Sequence, residues 1–162
     1  SKFFGFTTYE YFDNHTHSYH EFYKSKLLKF IYPYAMLIDT LILWRIKKFS
    51  ISKKYKYILL DRFVFDIIVD IMIAINNNNF HKSRIAKLLL KNIPKDTIII
   101  YLNSDYTQIK DRRSDLKSDK WLKKRIELYN SIALYYNFNL FEASKDENII
   151  SQEIYNYIKM NE

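Results

Sequence analysis

The chain has 162 residues, 26 Lys and Arg against 18 Asp and Glu, a net charge of +8, one glycine and no cysteine. That length suits one domain with a sizeable core, and the missing cysteine excludes disulfides and thiolate metal sites. The single glycine, Gly5, excludes an internal Gly-rich phosphate loop within these residues. Absence of cysteine fits a reducing, cytoplasmic compartment. The positive balance favours phosphorylated ligands or nucleic acids, although abundant Lys, Asn, Ile and Tyr also fit a plain compositional bias.

Taken in order, residues 1–6 can form a short strand. Residues 9–20 are polar and aromatic and read as an exposed or partly ordered segment. His15, His17 and His20, with Asp13 and Glu21 nearby, bring metal-ligand types together, but the solvated reading is favoured over a metal site. Residues 21–49 are apolar at helical spacing and broken by Pro33, which predicts two helices or one kinked helix. Leu28, Ile31 and Tyr32 precede Pro33, and Met36, Leu37, Thr40, Leu41 and Trp44 follow it at three- and four-residue spacing, while Arg45, Lys47 and Lys48 suit the negative end of the helix dipole. The apolar stretches 35–43 and 63–75 are too short, or too interrupted by Asp, to cross a bilayer. No basic-then-apolar leader opens these residues.

The chain is organised around residues 54–75. The run 55–60 (YKYILL) reads as a buried strand, ending at Asp61-Arg62 and passing into a helix. On that helix Arg62, Asp66 and Asp70 share one face, while Phe63, Ile67, Ile71 and Ala74 share another that can be buried. Charges just beyond the carboxyl end of a core strand are where open α/β sheets bind ligands, so Asp61, Arg62, Asp66 and Asp70 are site candidates. An Asn loop at 76–79 follows, then a helix over 82–90 with Ile85, Leu88 and Leu89 inward. Pro94 marks a turn, and residues 97–102 (TIIIYL) read as a second buried strand. Two apolar strands joined by helical material imply a parallel sheet with right-handed crossovers. Asp105 is the expected N-cap of a short helix, with Gln108 at the capping-box position. A helix capped at Ser118 or Asp119 runs to about residue 136, with Leu122, Ile126, Tyr129, Ala133 and Tyr136 inward. A strand at 139–143 and a closing helix over 148–160, with Ile150, Ile154, Tyr157 and Ile158 inward, complete the order.

The triplet Asp61-Arg62-Phe63, continued by Phe65, Asp66, two apolar residues and Asp70, resembles the third strand and following helix of the thymidylate-kinase-like branch of P-loop nucleoside and nucleotide kinases. Arg112 and Arg113, followed by Asp115-Leu116, resemble that group's basic lid, here about 111–118, with Ser114 shifting the spacing. The resemblance covers roughly residues 30–158. It implies one kinase-like α/β domain over 1–162, a parallel-sheet three-layer P-loop kinase-like fold. It also implies ATP and Mg2+ as cofactors, with phosphoryl transfer to a nucleoside, nucleotide or related small hydroxyl acceptor. Within it, Asp61 would serve catalysis and the magnesium shell through water, Arg62 would hold phosphate or acceptor, Asp66 and Asp70 would orient the acceptor hydroxyl, and Arg112 and Arg113 would close over the triphosphate.

The resemblance breaks at the front, where the family has its first, central strand and a Gly-rich loop ending Gly-Lys-Ser/Thr. A sheet lacking that strand would leave its neighbours' backbone groups unpaired. The expectation is therefore an N-terminally truncated piece, active only in the intact protein. The alternative is a non-catalytic binding or scaffold protein on a decayed kinase fold. The expected partner is a small-molecule acceptor, with homodimerisation open and no membrane. Nucleic-acid binding is disfavoured because most tyrosines fall in strands or at core spacing.

Overall fold

The computed structural model describes residues 5–12, 15–51, 58–61, 63–113, 116 and 119–161, with the backbone alone for 10–12, 15–17 and 47–51. Two compact units divide the chain, one of Ser1–Glu10 with Ser18–Pro94, the other of Tyr11–His17 with Lys95–Glu162.

Strands β1 (Thr7–Phe12) and β2 (His15–His20) form a two-stranded antiparallel sheet. The segment 9–20, read as exposed or partly ordered, thus contributes to a strand pair, with Tyr9 and Ser18 exposed. Thr, Tyr and Phe alternate with polar residues there, a pattern that suits a pleated, half-buried surface, and Tyr19 is buried. The expectation for 1–6 lies outside the described residues up to residue 4. After a 3-10 turn at Phe22–Lys24, helix α1 (Lys26–Ile51) runs unbroken through Pro33. Proline inside a helix removes one backbone donor and costs about 3 kcal/mol, so packing must offset it. Pro33 and Thr40 are buried, with Tyr32, Met36, Leu37, Leu41 and Trp44 half-buried, and α1 packs against α2 (Val64–Ala74) and α3 (Arg84–Leu90).

Helix α2 is the heart of this unit. Val64, Ile68, Val69, Ile71, Met72, Ile73 and Ala74 are all buried, whereas of the expected stripe Phe63 and Ile67 are only half-buried, and Trp44 of α1 meets Phe63 with ring centroids 4.6 Å apart. The helix ends at Asn76 with φ 49°, where Asn77 N donates to Met72 O at 2.9 Å. Asparagine thus takes the left-handed position usually given to glycine. Ser83 caps α3, its Oγ accepting from Ala86 N at 3.1 Å; Ala86 and Leu89 point inward and Leu88 is exposed.

In the second unit, β3 (Ile100–Asn103) and β4 (Asn139–Glu142) pair in parallel, with Ile100 opposite Asn139 and Leu102 opposite Phe141. Between them run α4 (Tyr106–Arg112) and α5 (Leu122–Tyr135), and α6 (Glu147–Met160) closes the unit. Asp105 caps α4 as expected, accepting from Gln108 N at 2.8 Å, whereas the Gln108 side chain accepts from Ser104 Oγ instead of completing a capping box. Successive strand side chains alternate between faces. On one face the Tyr101 hydroxyl donates to Asn130 of α5 at 2.8 Å; on the other, Phe141 meets Tyr157 of α6 with ring centroids 5.7 Å apart. Asn137 repeats the left-handed helix end, at φ 52° with Phe138 N donating to Ala133 O.

The expected parallel-sheet three-layer P-loop kinase-like fold is overturned. Among the described residues there are two separate two-stranded sheets, one antiparallel and one parallel. The strand expected at 55–60 lies outside the described residues as far as 57, and residues 58–60 belong to no strand, with Leu59 95 % exposed. A fully buried strand was expected there because a short apolar run alone does not reveal what covers it.

Candidate functional site

The structure places the residues singled out from the sequence in different settings. Asp61 is exposed at a bend, and Arg62 lies outside the described residues. Asp66 and Asp70 share one edge of α2, both half-buried, with Asp66 in the first turn, where the helix dipole favours an anion. Arg112 ends α4 and Arg113 follows it, both exposed and both in the second unit. Of the expected lid, 114–115 and 117–118 lie outside the described residues.

Asp70 has neighbours that no local motif announced. Burial pushes the Tyr32 phenol up to about 12, and the Asp70 carboxylate adds to that shift. Burial lowers the pKa of His20, with Asp70 working in the opposite direction. His20 Nδ1 lies 3.1 Å from Thr7 Oγ1, its ring stacks on Phe22 at 5.1 Å, and Phe22 meets Tyr32 edge-on at 4.6 Å. The result is a carboxylate, an imidazole biased to its neutral form and a phenol held protonated, joined through one aromatic layer. These are groups able to accept and donate protons, yet they border a packed aromatic cluster. An open cleft of about 310 Å³, lined by residues 95–99 with Tyr136, Asn139 and Tyr157, belongs to the second unit and contains none of them.

Among the described residues no three His, Asp or Glu side chains are grouped to hold an ion. Asp61, expected to act through water, is an exposed carboxylate at a bend.

The most unusual surface is the outward side of α1. At about 100° per residue, Leu27, Phe30, Ile31, Tyr34, Ile38, Ile42 and Ile46 fall in one arc of about 160°, opposite Met36 and Thr40. These seven side chains are 44–66 % exposed, and the Phe30 and Tyr34 rings lie 5.4 Å apart. A helix apolar on both sides belongs in a core or a membrane. Over Lys26–Ile46, α1 is by length and composition alone apolar enough to cross a bilayer. The reading that took 35–43 as the apolar stretch of this region missed that length. The signal was present in the spacing 27, 31, 34, 38 and 42.

Comparison with family models, with curated proteins and with solved structures finds no match to this chain. The resemblance to the thymidylate-kinase-like branch of P-loop kinases is thereby overturned, together with the kinase-like and P-loop descriptions, since neither a family match nor the sheet topology supports them. Its carrier, the run from Asp61 to Asp70, is a pattern that an ordinary buried helix with charged edges also produces.

Proposed function

We propose that this chain is a non-catalytic binding protein whose working surface is the outward face of α1. One observation carries the reading: seven large apolar side chains stand 44–66 % exposed along one arc of α1, while Pro33 and Thr40 on its other side are buried and the helix packs against α2 and α3. Isolated exposed apolar residues are ordinary, but a contiguous patch beyond about 300–600 Å² marks an interaction site. The phosphoryl-transfer reading, with ATP, Mg2+ and a small acceptor, rested on the resemblance and has no assembled donor set to replace it among the described residues.

The test is uptake of a dye that fluoresces on apolar protein surface. The triple variant Ile31→Gln, Ile38→Gln and Ile42→Gln should reduce the signal by roughly half or more, with the helical circular dichroism unchanged. Equal dye uptake by the folded variant and the parent would sink the reading.

A further inference from the structure

The whole excess of positive charge lies in the half of the chain that carries α1. Residues 1–94 hold 15 Lys and Arg against 7 Asp and Glu, whereas residues 95–162 hold 11 against 11. The apolar arc of α1 bears no charge between Leu27 and Ile42; exposed Lys26 precedes it, and exposed Arg45 lies within its last turn. From Leu27 to Ile46 the arc is about 28 Å long. Charge asymmetry of this kind draws a protein towards an anionic surface, and an apolar stripe supplies what a phosphate backbone has no use for.

We propose that the outward face of α1 docks on the surface of an anionic lipid bilayer, the helix lying in the interface with its opposite side packed on α2 and α3; this rests on the reading of that face as the working surface. An in-plane helix inserts an apolar face by several ångströms into the headgroup and acyl boundary, and basic residues add attraction to anionic headgroups. Phe30, Ile31, Ile38 and Ile42 supply the inserting side chains, while Lys26 and Arg45 can keep their charged ends among the headgroups as their stems lie along the apolar surface. Crossing the bilayer is disfavoured because buried Pro33 and Thr40 tie the other side of α1 into the packed core of its unit.

Two other occupants fit less well. A second copy would bring two strongly basic units together. A peptide-binding groove on another protein reads anchors at i, i+3, i+4 and i+7 of a helix, whereas this stripe continues over more than twice that span.

The experiment is flotation of the full chain with vesicles of phosphatidylcholine alone and of phosphatidylcholine mixed with phosphatidylserine, alongside sedimentation in free solution. The chain should float with the mixed vesicles and far less with the neutral ones, and release as salt rises. Ile31→Gln, Ile38→Gln and Ile42→Gln together should weaken binding at least tenfold, Lys26→Gln with Arg45→Gln about tenfold, and Leu134→Gln, an exposed leucine of the second unit, not at all. No flotation with mixed vesicles overturns the proposal, as does equal binding to neutral ones or equal loss with Leu134→Gln. If the chain instead self-associates, and the triple variant reverses it, the lipid proposal falls while the outward face of α1 remains the working surface. If the triple variant matches the parent in flotation, self-association and dye uptake, both fall.

Discussion

In the second unit the parallel pair β3–β4 has a helix on each side, α5 meeting Tyr101 and α6 meeting Phe141; in the first, the longest helix is covered on one side only. The second unit still exposes Leu102 and Leu140, one on each face of its sheet, and Leu134, Tyr135, Ile149, Tyr155 and Met160 on its helices. Those are scattered residues, however, of the sort every protein surface carries. On α1 the exposed residues follow one another turn after turn, which makes them a surface and not a scatter. The charge follows the same division, its excess lying in the part of the chain that carries α1. Apolar exposure and positive charge in the same unit are what a binding face needs. Neither is needed for folding that unit, whose core lies on the buried side of α2.

The sharpest way to break this comparison is to cut into each core and then into the stripe. Ile68→Ala in α2 and Ile132→Ala in α5 remove fully buried side chains, so each should cost about 2–5 kcal/mol. Ile38→Ala, on the outward side of α1, should stay within about 0.5 kcal/mol. Denaturant titrations followed by circular dichroism measure all three. A cost for Ile38→Ala comparable to the core variants would mean that the stripe is part of the fold. If thermal unfolding shows two transitions, Ile68→Ala should move one and Ile132→Ala the other.

A smaller effect probes how the second unit holds its sheet. Tyr101→Phe removes the 2.8 Å hydrogen bond to Asn130 and keeps the ring against Tyr129 and Phe138. The expected loss is about 1 kcal/mol, read as a lower denaturant midpoint at unchanged slope. A neutral result would assign the attachment of α5 to the apolar ring contacts alone.

What the sequence made legible was periodicity, and what it hid was coverage. The half-buried side of α1 (Met36, Leu37, Leu41 and Trp44), the position of α2, the cap at Asp105, and β4 with α6 after it all follow from spacing and capping chemistry. The antiparallel pair was obscured by its histidines, which drew attention to ligand chemistry instead of the strand alternation around them. Residues 58–60 show the converse error, because an apolar run states a preference for burial without supplying the partner. At the candidate site, the common edge of Asp66 and Asp70 could be read from a four-residue interval. Their neighbours could not: His20 and Tyr32 come from other elements and are brought near Asp70 only by the packing around Phe22.

That cluster gives the finest contrast between the units, because Tyr32 and Tyr101 are both half-buried phenols with raised pKa values but different causes. Burial acts on both, and the Asp70 carboxylate adds to the shift of Tyr32 alone. A phenol whose folded pKa lies above its unfolded one contributes stability that is complete below the unfolded value, about 10, and is lost as pH rises through the folded value, about 12 for Tyr32. Alkaline destabilisation should therefore set in above pH 10, and Tyr32→Phe should flatten it. Asp70→Asn removes the negative charge and should move the Tyr32 midpoint down while leaving that of Tyr101 unchanged, as followed by phenolate absorbance in Tyr32→Phe and Tyr101→Phe backgrounds. A parallel shift of both tyrosines would mean that Asp70 acts through the fold at large. A shift confined to Tyr32 would make Asp70 a local electrostatic neighbour, with its effect on acid–base chemistry limited to the layer formed by His20, Phe22 and Tyr32.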